Sequence, residues 1–496
     1  MTSALAQAEP EVLARVRRVL AQRNVDSYLV GGYIRDALLG RPTRDIDIAV
    51  AAPALEVAME VATSLHARYV PLDEVNKVAR VVFLDRQRGT EARWYLDFST
   101  VEAGIEEDLH RRDFTINAMS VNLKDLENGS GAHLIDPLQG KRDLAQGLIR
   151  AASESAFQDD PGRLLRAVRL AAEYGFAIDS HTEDLIKSSA RLVSTVAAER
   201  VREELCRLLA CQQAARYLYY LDGLGLLTAI IPELEGTRGV EQPREHYWDV
   251  FVHSIETVAA LERILDALRS GSRDAVLVHL PSIPGAEEYF SEEVAFGVSR
   301  AVIAKLGSLL HDIAKPQTKS LEPGGRARFL GHTKIGGKMA ADIMQRLRFS
   351  NREAKMVQVM VESHLRLWQM GGDGTPTKRA IYRFFRDTRD ASIEIIYLTL
   401  ADFLAAQGPN LDTEEWAAHC RMMDHVWSEH ATEEAEAGPV KLINGHDLMG
   451  LFGLEPGPRL GELLASVHEA QAVGEVASRE DALAFVRRHL VADSGK

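Results

Sequence analysis

The order of apolar and polar positions divides the chain into a mixed N-terminal part and a helical remainder. Near the N-terminus most apolar runs are short and rich in β-branched and aromatic residues, as in strands, and one run has helical spacing. The predicted strands are Tyr28–Val30, Ile46–Val50, Val78–Leu84 and Trp94–Phe98, and the predicted helix is Tyr33–Leu39. From Asp159 onward the pattern favours helices alone. We therefore expect an α/β domain with a mixed sheet, followed by helical domains.

Length and charge limit the classes of protein that fit this pattern. A chain of 496 residues is too long for one hydrophobic core and should hold several domains. Its 58 basic and 72 acidic residues give a net charge of −14, so any RNA contact must be a local basic patch. The three cysteines form no metal-like cluster and fit a reducing cytoplasm, and no run is long enough to span a membrane.

The first chemical motif follows the first predicted strand. Gly31 and Gly32 lie between that strand and the helix, where backbone N–H groups point at an anion, and Arg35 follows one helical turn later. Asp45 and Asp47 are i and i+2 on the next strand, so both carboxylates leave one face and suit hard divalent cations. Alone, a Gly-Gly turn or an exposed Asp-x-Asp strand is common. The order of strand, glycine, helix and strand favours a nucleotidyl-transfer site.

Further polar residues extend this candidate site. Asp97 lies on a later predicted strand and is a candidate third carboxylate, although an exposed strand aspartate would look the same. Arg112, Asp113 and Asn117 form a denser polar set than a surface needs. The aspartate can accept from ribose hydroxyls, and the asparagine can bond a phosphate or a sugar.

The first predicted helix of the helical part carries a row of charged residues. Asp159 and Asp160 precede a proline, a pattern that is typical of a helix start. Arg163, Arg166 and Arg169 then recur every three residues, so their guanidinium groups share roughly one face while apolar residues occupy the other. The alternative is an ordinary basic stripe on a solvated surface.

The second half carries a separate set of candidate metal ligands. It includes an adjacent His-Asp pair and consists of His253, His311, Asp312, His332, His364 and Asp402. One histidine on an apolar helix is usually a core residue, whereas four histidines with this spacing favour a site for one or two divalent ions. Such ions would generate hydroxide for phosphoester hydrolysis. The long insert Leu268–Gly297 is interpreted as a surface excursion.

Together these motifs resemble a known family. The runs Gly-Gly-Tyr-Ile-Arg-Asp, Asp-Ile-Asp, Arg-Arg-Asp-Phe-Thr-Ile-Asn-Ala, Asp-Asp-Pro-Gly-Arg-Leu-Leu-Arg-Ala-Val-Arg and Glu199-Arg200 resemble, in order, the motifs of class II tRNA nucleotidyltransferases. That family includes CCA-adding enzymes and bacterial poly(A) polymerases. The resemblance covers roughly the first 230 residues. It departs from the family pattern at Asp159, where glutamate is usual, and a shifted helix start there would alter base selectivity.

The resemblance implies a role for each residue of the candidate site. Asp45 and Asp47 would hold Mg²⁺ and carry the catalysis. Asp160 and Arg163 would pair with the Watson–Crick edge of CTP or ATP, because a carboxylate accepts from an exocyclic amino group and a guanidinium donates to ring acceptors. The implied nucleotide-binding residues are Gly32, Arg35, Arg112, Asp113, Asn117, Asp160, Arg163, Arg166 and Arg169.

The histidine set resembles the HD phosphohydrolases over His246 to Asp402. This resemblance implies a divalent metal, Mg, Mn, Ni or Fe, in the body, and a cyclic phosphodiesterase or phosphatase activity. The C-terminal segment, in which a glycine turn joins two predicted helices, resembles the tail that grips the tRNA acceptor arm in many CCA-adding enzymes.

We expect four parts: a nucleotidyltransferase head at 1–150, a helical neck at 151–235, an HD body at 236–430 and a tRNA-binding tail at 431–496. The expected activity is addition of CMP and AMP to the 3′ end of tRNA, from CTP and ATP, in the cytoplasm and without a membrane partner. Poly(A), CC-only or A-only addition stays open. So do a metal phosphohydrolase whose head merely binds RNA and a purely structural HD set. The sequence leaves the oligomeric state open.

Overall fold

The computed structural model describes residues 11–75, 77–85, 92–126, 133–243, 245–271, 274–371, 374–436 and 442–494. The chain folds as two compact units. One comprises Met1–Val196 with Gly223–Ala229, and the other comprises Ala197–Asp222 with Ile230–Lys496. An α/β head followed by helical domains is confirmed, and 62% of the described residues are helical when the 3₁₀ turns are included. The four-part division of the chain stays a prediction.

A seven-stranded mixed sheet forms the centre of the first unit. Its strands are β1 (Ser27–Val30), β2 (Asp45–Val50), β3 (Arg68–Asp73), β4 (Val78–Asp85), β5 (Ala92–Thr100), β6 (Ser120–Asn122) and β7 (Leu134–Ile135). Across the sheet the order is β3-β4-β5-β2-β1-β6-β7. Strands β2 and β5 run parallel, and the other neighbouring pairs are antiparallel. All four predicted strands are therefore confirmed.

Helices and short 3₁₀ turns complete the first unit. They are α1 (Glu11–Gln22), α2 (Gly32–Leu38), α3 (Ala54–Leu65), α4 (Ile105–His110), α5 (Gly140–Gln146), α6 (Ala156–Asp159), α7 (Arg163–Tyr174), α8 (Ser180–Ser189), Thr115–Asn117 and Ala190–Thr195. A small parallel pair joins β8 (Leu148–Ile149) to β9 (Ala177–Ile178). Helix α7 buries Leu164, Leu165 and Val168, so one of its faces packs as its sequence predicts.

From residue 198 onward the described chain is almost entirely helical. The helices are α9 (Ala198–Ala210), α10 (Ala214–Gly223), α11 (Leu227–Ile230), α12 (Val250–Ser270), α13 (Ala286–Ser291), α14 (Arg300–Leu310), α15 (Lys315–Thr318), α16 (His332–Arg346), α17 (Asn351–Ser363), α18 (Arg366–Gly371), α19 (Lys378–Thr388), α20 (Ser392–Gln407), α21 (Thr413–Glu436), α22 (Gly445–Phe452), α23 (Pro458–Ala472) and α24 (Arg479–Ser494). The 3₁₀ turns are Pro232–Thr237, Leu277–His279, Arg389–Ala391 and Gly408–Asn410. Two hairpins pair β10 (Glu293–Ala295) with β11 (Val298–Ser299), and β12 (Lys319–Leu321) with β13 (Ala327–Phe329).

Helix α20 lies at the centre of the second unit. Every residue from Glu394 to Ala405 is buried, and the helix packs against α12, α14, α17 and α21. A helix that is apolar on all sides is expected in such a position. Its one buried aspartate, Asp402, is therefore carried into the interior of the unit.

One sequence interpretation needs correction and one is confirmed. The insert Leu268–Gly297 is more than a surface excursion, because it buries Leu277 and Phe290; residues 272 and 273 lie outside the described residues. The predicted helix, glycine turn and helix near the C-terminus are confirmed by α22, Gly453 and α23.

Candidate active site and metal centre

The first cluster lies where β2 and β5 run side by side. Asp47 on β2 is the register partner of Asp97 on β5, and Asp45 lies two residues before Asp47. Register partners and i, i+2 neighbours leave the same face of a sheet, so the three carboxylates share one face. Burial raises the pKa of Asp47, and the charges of Asp97 and Asp45 raise it further, against Arg112 and the Gly32 backbone N–H. Divalent cations would relieve this repulsion, so the donor set fits them.

The candidate third carboxylate already has a partner. Arg80 Nε donates to Asp97 Oδ1 and Arg80 Nη2 donates to Asp97 Oδ2, each at 2.7 Å. This bidentate pair fixes the orientation of the Asp97 carboxylate and neutralises part of its charge. Asp97 therefore lies beside Asp47, and its role as a metal ligand stays a prediction.

The glycine turn packs directly on this cluster. Gly31 follows β1 with φ 69° and ψ −136°, a backbone region that strains any residue with a Cβ. A Cβ at this position would lie 2.8 Å from Arg112 Nη1 and 2.9 Å from Asp47 Oδ2. Glycine therefore permits the close approach of the turn, the arginine and the carboxylate. We expected the Gly32 N–H to face an anionic ligand. It donates instead to the carboxylate of Asp47.

Arg35 is buried in a network of polar side chains, with 8% of the residue exposed. Its Nε and Nη2 donate to the Asp36 carboxylate at 3.0 Å each, and its Nη1 donates to Asn117 Oδ1 at 2.6 Å. The guanidinium lies 4.6 Å from the ring centroid of Tyr174, whose hydroxyl donates to Asp36. The Asn117 amide in turn donates to Asp113 Oδ1 at 3.0 Å. A continuous chain of hydrogen bonds thus joins Arg35 to Asp113.

Asp113 connects this network to helix α7. Its Oδ2 lies 3.3 Å from Arg166 Nη1, which donates to it. Burial opposes ionisation of Asp113. Its pKa nevertheless lies below the ordinary value, because Arg166, the Asn117 amide and Arg163 stabilise the carboxylate. Arg163 and Arg166 therefore both act on Asp113, as the predicted shared helix face requires.

The outer two arginines of α7 have fixed partners. Arg163 Nη2 donates to the carbonyl oxygen of Arg111 at 2.8 Å, and its Nη1 donates to that of Arg112 at 3.3 Å. Arg169 is 5% exposed and donates to Glu173 at 2.5 Å. Backbone carbonyls therefore orient the Arg163 guanidinium, while Arg169 is packed inside the unit.

Asp160 lies at the start of helix α7. The first residue of this helix is Arg163, and Asp159 ends the preceding short helix α6. Asp160 Oδ1 accepts from the Gly162 N–H at 3.0 Å, and Asp160 Oδ2 lies 3.9 Å from Arg163 Nε. Asp160 is extended and accepts from the N–H two residues on, as an N-cap does, so its predicted position at a helix start is confirmed, whereas Asp159 belongs to the preceding helix. This turn places the Asp160 carboxylate beside Arg163.

The second cluster, here called the His/Asp cluster, brings together all the predicted ligands of the helical unit. They are His253 on α12, His311 and Asp312 after α14, His332 at the start of α16, His364 after α17 and Asp402 on α20. The Nε2 of His253 lies 3.2 Å from His311 Nε2 and 3.0 Å from Asp402 Oδ1. Asp312 Oδ1 lies 3.5 Å from His332 Nε2 and 3.7 Å from His364 Nε2. Each ligand is at most 8% exposed.

Three of these imidazoles are oriented by their own backbone. The Nδ1 atoms of His311, His332 and His364 donate to the carbonyl oxygen three residues earlier, at 2.8, 2.6 and 2.8 Å. In this tautomer Nε2 carries a lone pair that points into the cluster. Among the described residues, His332 Nε2 and Asp312 Oδ1 are buried without a hydrogen-bond donor. Buried lone pairs that converge in this way fit a metal ion.

The electrostatics of the His/Asp cluster also favour a bound metal ion. Burial, together with the charge of the nearby His311, lowers the pKa of His364 to about 3, so this imidazole is in the neutral form that metals bind. Burial also opposes a charge on His311, but Asp312 and Asp402 raise its pKa to about 10. The two carboxylates therefore favour a positive charge at the centre of the cluster.

Two further polar residues of this cluster were not predicted from the sequence. Lys315 Nζ lies 2.6 Å from Asp312 Oδ2, and the ring centroid of His246 lies 5.2 Å from that of His253. The i, i+3 spacing of Asp312 and Lys315 was an available signal. His246 lies outside the regular helices, where periodicity gives no information.

No helix within the described ranges combines the length and the apolar character that a membrane span requires.

Three family descriptions match successive parts of the chain. The poly A polymerase head domain matches residues 27–150, the probable RNA and SrmB-binding site of polymerase A matches 175–237, and the HD domain matches 250–407.

Full-length relatives match most of the chain. An A-adding tRNA nucleotidyltransferase of Deinococcus radiodurans is 33% identical over 466 residues, which cover 93% of this chain and 94% of the relative. A CC-adding tRNA nucleotidyltransferase of Thermus thermophilus is 32% identical over 471 residues, which cover 93% of each chain.

Solved structures share the fold. The Thermotoga maritima CCA-adding enzyme complexed with tRNA matches with a TM-score of 0.61 and 23% identity, covering 99% of this chain and 98% of that chain. A CCA-adding enzyme in complex with ATP matches with a TM-score of 0.64 and 23% identity, covering 98% of each chain.

Proposed function

We propose, because this chain belongs to the tRNA nucleotidyltransferase family, that it adds CMP and AMP to tRNA 3′ ends from CTP and ATP without a nucleic-acid template. The observation that carries the proposal is the shared face of Asp45, Asp47 and Asp97 beside the Gly31 turn. The relatives from Deinococcus and Thermus are A-adding and CC-adding enzymes, so both nucleotides belong in the proposal.

In this reaction the tRNA 3′ hydroxyl attacks the α-phosphorus, the bond to pyrophosphate breaks, and the hydroxyl loses its proton. Asp45 and Asp47 would hold Mg²⁺, which when bound stabilises negative charge on the phosphates and the attacking oxygen. Arg112 reaches the same turn as Asp47 and contributes positive charge beside the carboxylates. Arg35 acts from a fixed position, because Asp36 and Asn117 hold its guanidinium.

Base selection is proposed for Asp160 and Arg163. The turn at Gly162 brings the Asp160 carboxylate beside the Arg163 side chain. A carboxylate and a guanidinium together offer an acceptor and donors to the edge of cytosine or adenine. The carbonyl groups of Arg111 and Arg112 hold the Arg163 guanidinium, so the pair is oriented before a nucleotide binds.

The test uses tRNA transcripts that end before CCA, before the final A, or after CCA. Each is incubated with CTP alone, ATP alone or both, in Mg²⁺, and the extended ends are sequenced. Addition of CCA supports the proposal, and CC-only, A-only or poly(A) products identify the narrower alternatives. An absence of incorporation, while a control enzyme extends the same transcripts, refutes it.

Substitution of the carboxylates tests whether the head is catalytic or merely binds RNA. We expect Asp45→Asn and Asp47→Asn to lower incorporation more than about 100-fold without weakening tRNA binding. Asp26→Asn is the matched control, because Asp26 is an exposed aspartate paired with Lys124 in the same unit. Equal rates for all three variants would contradict the proposed catalytic role.

We further propose that the helical unit hydrolyses phosphoesters. The observation that favours this second function is the convergence of buried imidazole and carboxylate lone pairs in the His/Asp cluster. This donor set would hold Mg, Mn, Ni or Fe, and a metal bound there activates water for attack on phosphorus. Water adds to the phosphorus and one P–O ester bond opens, so a cyclic phosphodiester becomes a monoester.

Metal analysis of the purified protein tests this second function. We expect a bound transition metal or tightly held divalent ion in the wild type, and its loss in His311→Ala and Asp312→Ala. His279→Ala is the matched control, since His279 is exposed in the same unit. Hydrolysis of 2′,3′-cyclic AMP should follow metal content. A wild type without bound metal and without hydrolysis would identify the cluster as structural.

We also propose a cytoplasmic location, which Cys206, Cys211 and Cys420 support, since none of the three is in a disulfide. The head at 1–150, neck at 151–235, body at 236–430 and tRNA-binding tail at 431–496 remain our proposed domains. The family matches at 27–150 and 250–407 support the head and the body. Helices α22, α23 and α24 share a hydrophobic core of their own, which supports a separate tail.

A further inference from the structure

Three aromatic rings stack on one another close to the His/Asp cluster. Trp368 on α18 stacks on Phe403, with ring centroids 5.5 Å apart and planes 12° apart, and on His419, at 4.6 Å and 24°. Phe403 and His419 stack on each other at 4.9 Å and 16°. Phe403 and His419 are buried, whereas Trp368 is 41% exposed. The group therefore exposes one aromatic ring to solvent, and that ring packs on two buried rings.

The ring distances leave one face of the indole uncovered by these two partners. If Trp368 lay between Phe403 and His419, the outer centroids would be about 7 Å apart, twice the usual contact distance of about 3.5 Å. They are 4.9 Å apart, so both rings lie on the same side of Trp368. The exposed 41% of Trp368 therefore lies on parts of the indole that these two rings do not cover.

The chain places this exposed ring at the rim of the His/Asp cluster. Trp368 follows the ligand His364 by four residues, and Phe403 directly follows the ligand Asp402. Asp402 and His332 are 8% and 7% exposed, while the other four ligands are at most 1% exposed. The cluster therefore meets solvent chiefly through Asp402 and His332, and Trp368 packs on Phe403, which neighbours Asp402 in the chain.

We propose that the open face of Trp368 stacks the nucleobase of a nucleoside phosphate whose phosphoryl group lies at the His/Asp cluster. This inference rests on the proposed phosphoester hydrolysis and gives that site a base-recognising surface. Stacking accepts every base, since each base has a π face. The site would therefore favour nucleotides and RNA termini over phosphoesters without a base, with little preference among the bases.

The first experiment compares two cyclic phosphodiesters in the full-length, metal-loaded protein. The first substrate is 2′,3′-cyclic AMP, and the second is glycerol 1,2-cyclic phosphate, which has the same ring but no base. We expect Trp368→Ala to raise KM for the nucleotide about tenfold with kcat little changed, and to leave the base-free substrate unaffected. Trp368→Phe should restore much of the affinity. Phe296→Ala removes another exposed aromatic ring of the same unit and serves as the matched control.

The second experiment measures binding without turnover. Stopped-flow mixing with 2′,3′-cyclic AMP should quench the tryptophan emission of the wild type and of Phe296→Ala, and Trp368→Phe should lose most of that quench. The inference is overturned if Trp368→Phe keeps the full quench, or if Trp368→Ala affects both substrates equally. Should the wild type hydrolyse neither substrate, the proposed hydrolysis fails, and the quench comparison alone decides whether a base stacks on Trp368.

Discussion

Replacement of Gly31 by alanine should separate the chemistry of the head from its stability. The added Cβ would lie 2.8 Å from Arg112 Nη1 and 2.9 Å from Asp47 Oδ2. Ordinary contacts begin near 3.5 Å, so the arginine, the carboxylate or the turn must move by roughly half an ångström or more. Asp47 is held in a parallel strand pair, and the repulsion at the cluster changes when it moves.

The size of the effect follows from the tolerance of catalytic geometry. Displacements of this order are at the limit that an active site accepts, and about 1 Å can cost about 100-fold in rate. We therefore expect Gly31→Ala to lower nucleotide incorporation by about 30- to 100-fold. Its backbone strain should also lower the free energy of unfolding by about 1–3 kcal/mol, because the backbone there suits only glycine.

Gly40→Ala is the matched control for this prediction. Gly40 also has a positive φ, 67°, but a Cβ there meets no atom within 4 Å. It should therefore lose stability through backbone strain while its incorporation rate stays within about threefold of the wild type. The assay is the initial rate of AMP incorporation into tRNA ending in CC, with urea unfolding of each variant. Equal incorporation rates for the two variants would refute the argument.

The other predictions concern the polar networks and the metal. Asn117→Ala removes the acceptor of Arg35 Nη1 and should raise KM for ATP about tenfold, measured at saturating tRNA. Glu394→Leu removes one buried partner of Arg300, which keeps Asp390 and Glu292, and should lower the free energy of unfolding by about 1.5–3 kcal/mol in urea, whereas the exposed Glu245→Leu should change it by less than about 1 kcal/mol. Dialysis against a chelator should abolish hydrolysis of 2′,3′-cyclic AMP and leave the helical circular dichroism signal unchanged; melting of the helices would contradict it.

Much of the head follows from local sequence. The strand period of two places Asp45 and Asp47 on one face, and the burial pattern of β2 agrees with that arrangement. The position of Asp97 beside Asp47 needs the parallel pairing of β2 with β5, which no local pattern specifies. The strand assignment of Asp97 could be predicted, and its register could not.

Partners from distant segments account for most of the features that the sequence did not reveal. Arg35 has the spacing of a solvent-facing anion ligand, but Tyr174 and Asn117 from remote parts of the chain enclose it. Asp160 bonds the N–H of Gly162, as the Asp-Pro pattern predicts for a helix start, but that pattern does not reveal that Asp159 ends the preceding helix α6. The six ligands of the His/Asp cluster were predictable as a set, because chemistry-bearing residues with unusual spacing stand out against an apolar helical background.

Three imidazoles of the His/Asp cluster, those of His311, His332 and His364, are each tethered through Nδ1 to a carbonyl three residues earlier on the same stretch of chain. Because each of these hydrogen bonds is local, the backbone sets the orientation of the ring, and no bound ion is needed to fix it. The chelating geometry is thus complete once the helices have packed. Which cation enters is then a matter of competition, in which intrinsic affinity favours late transition metals and the supply inside a growing cell favours the abundant ones.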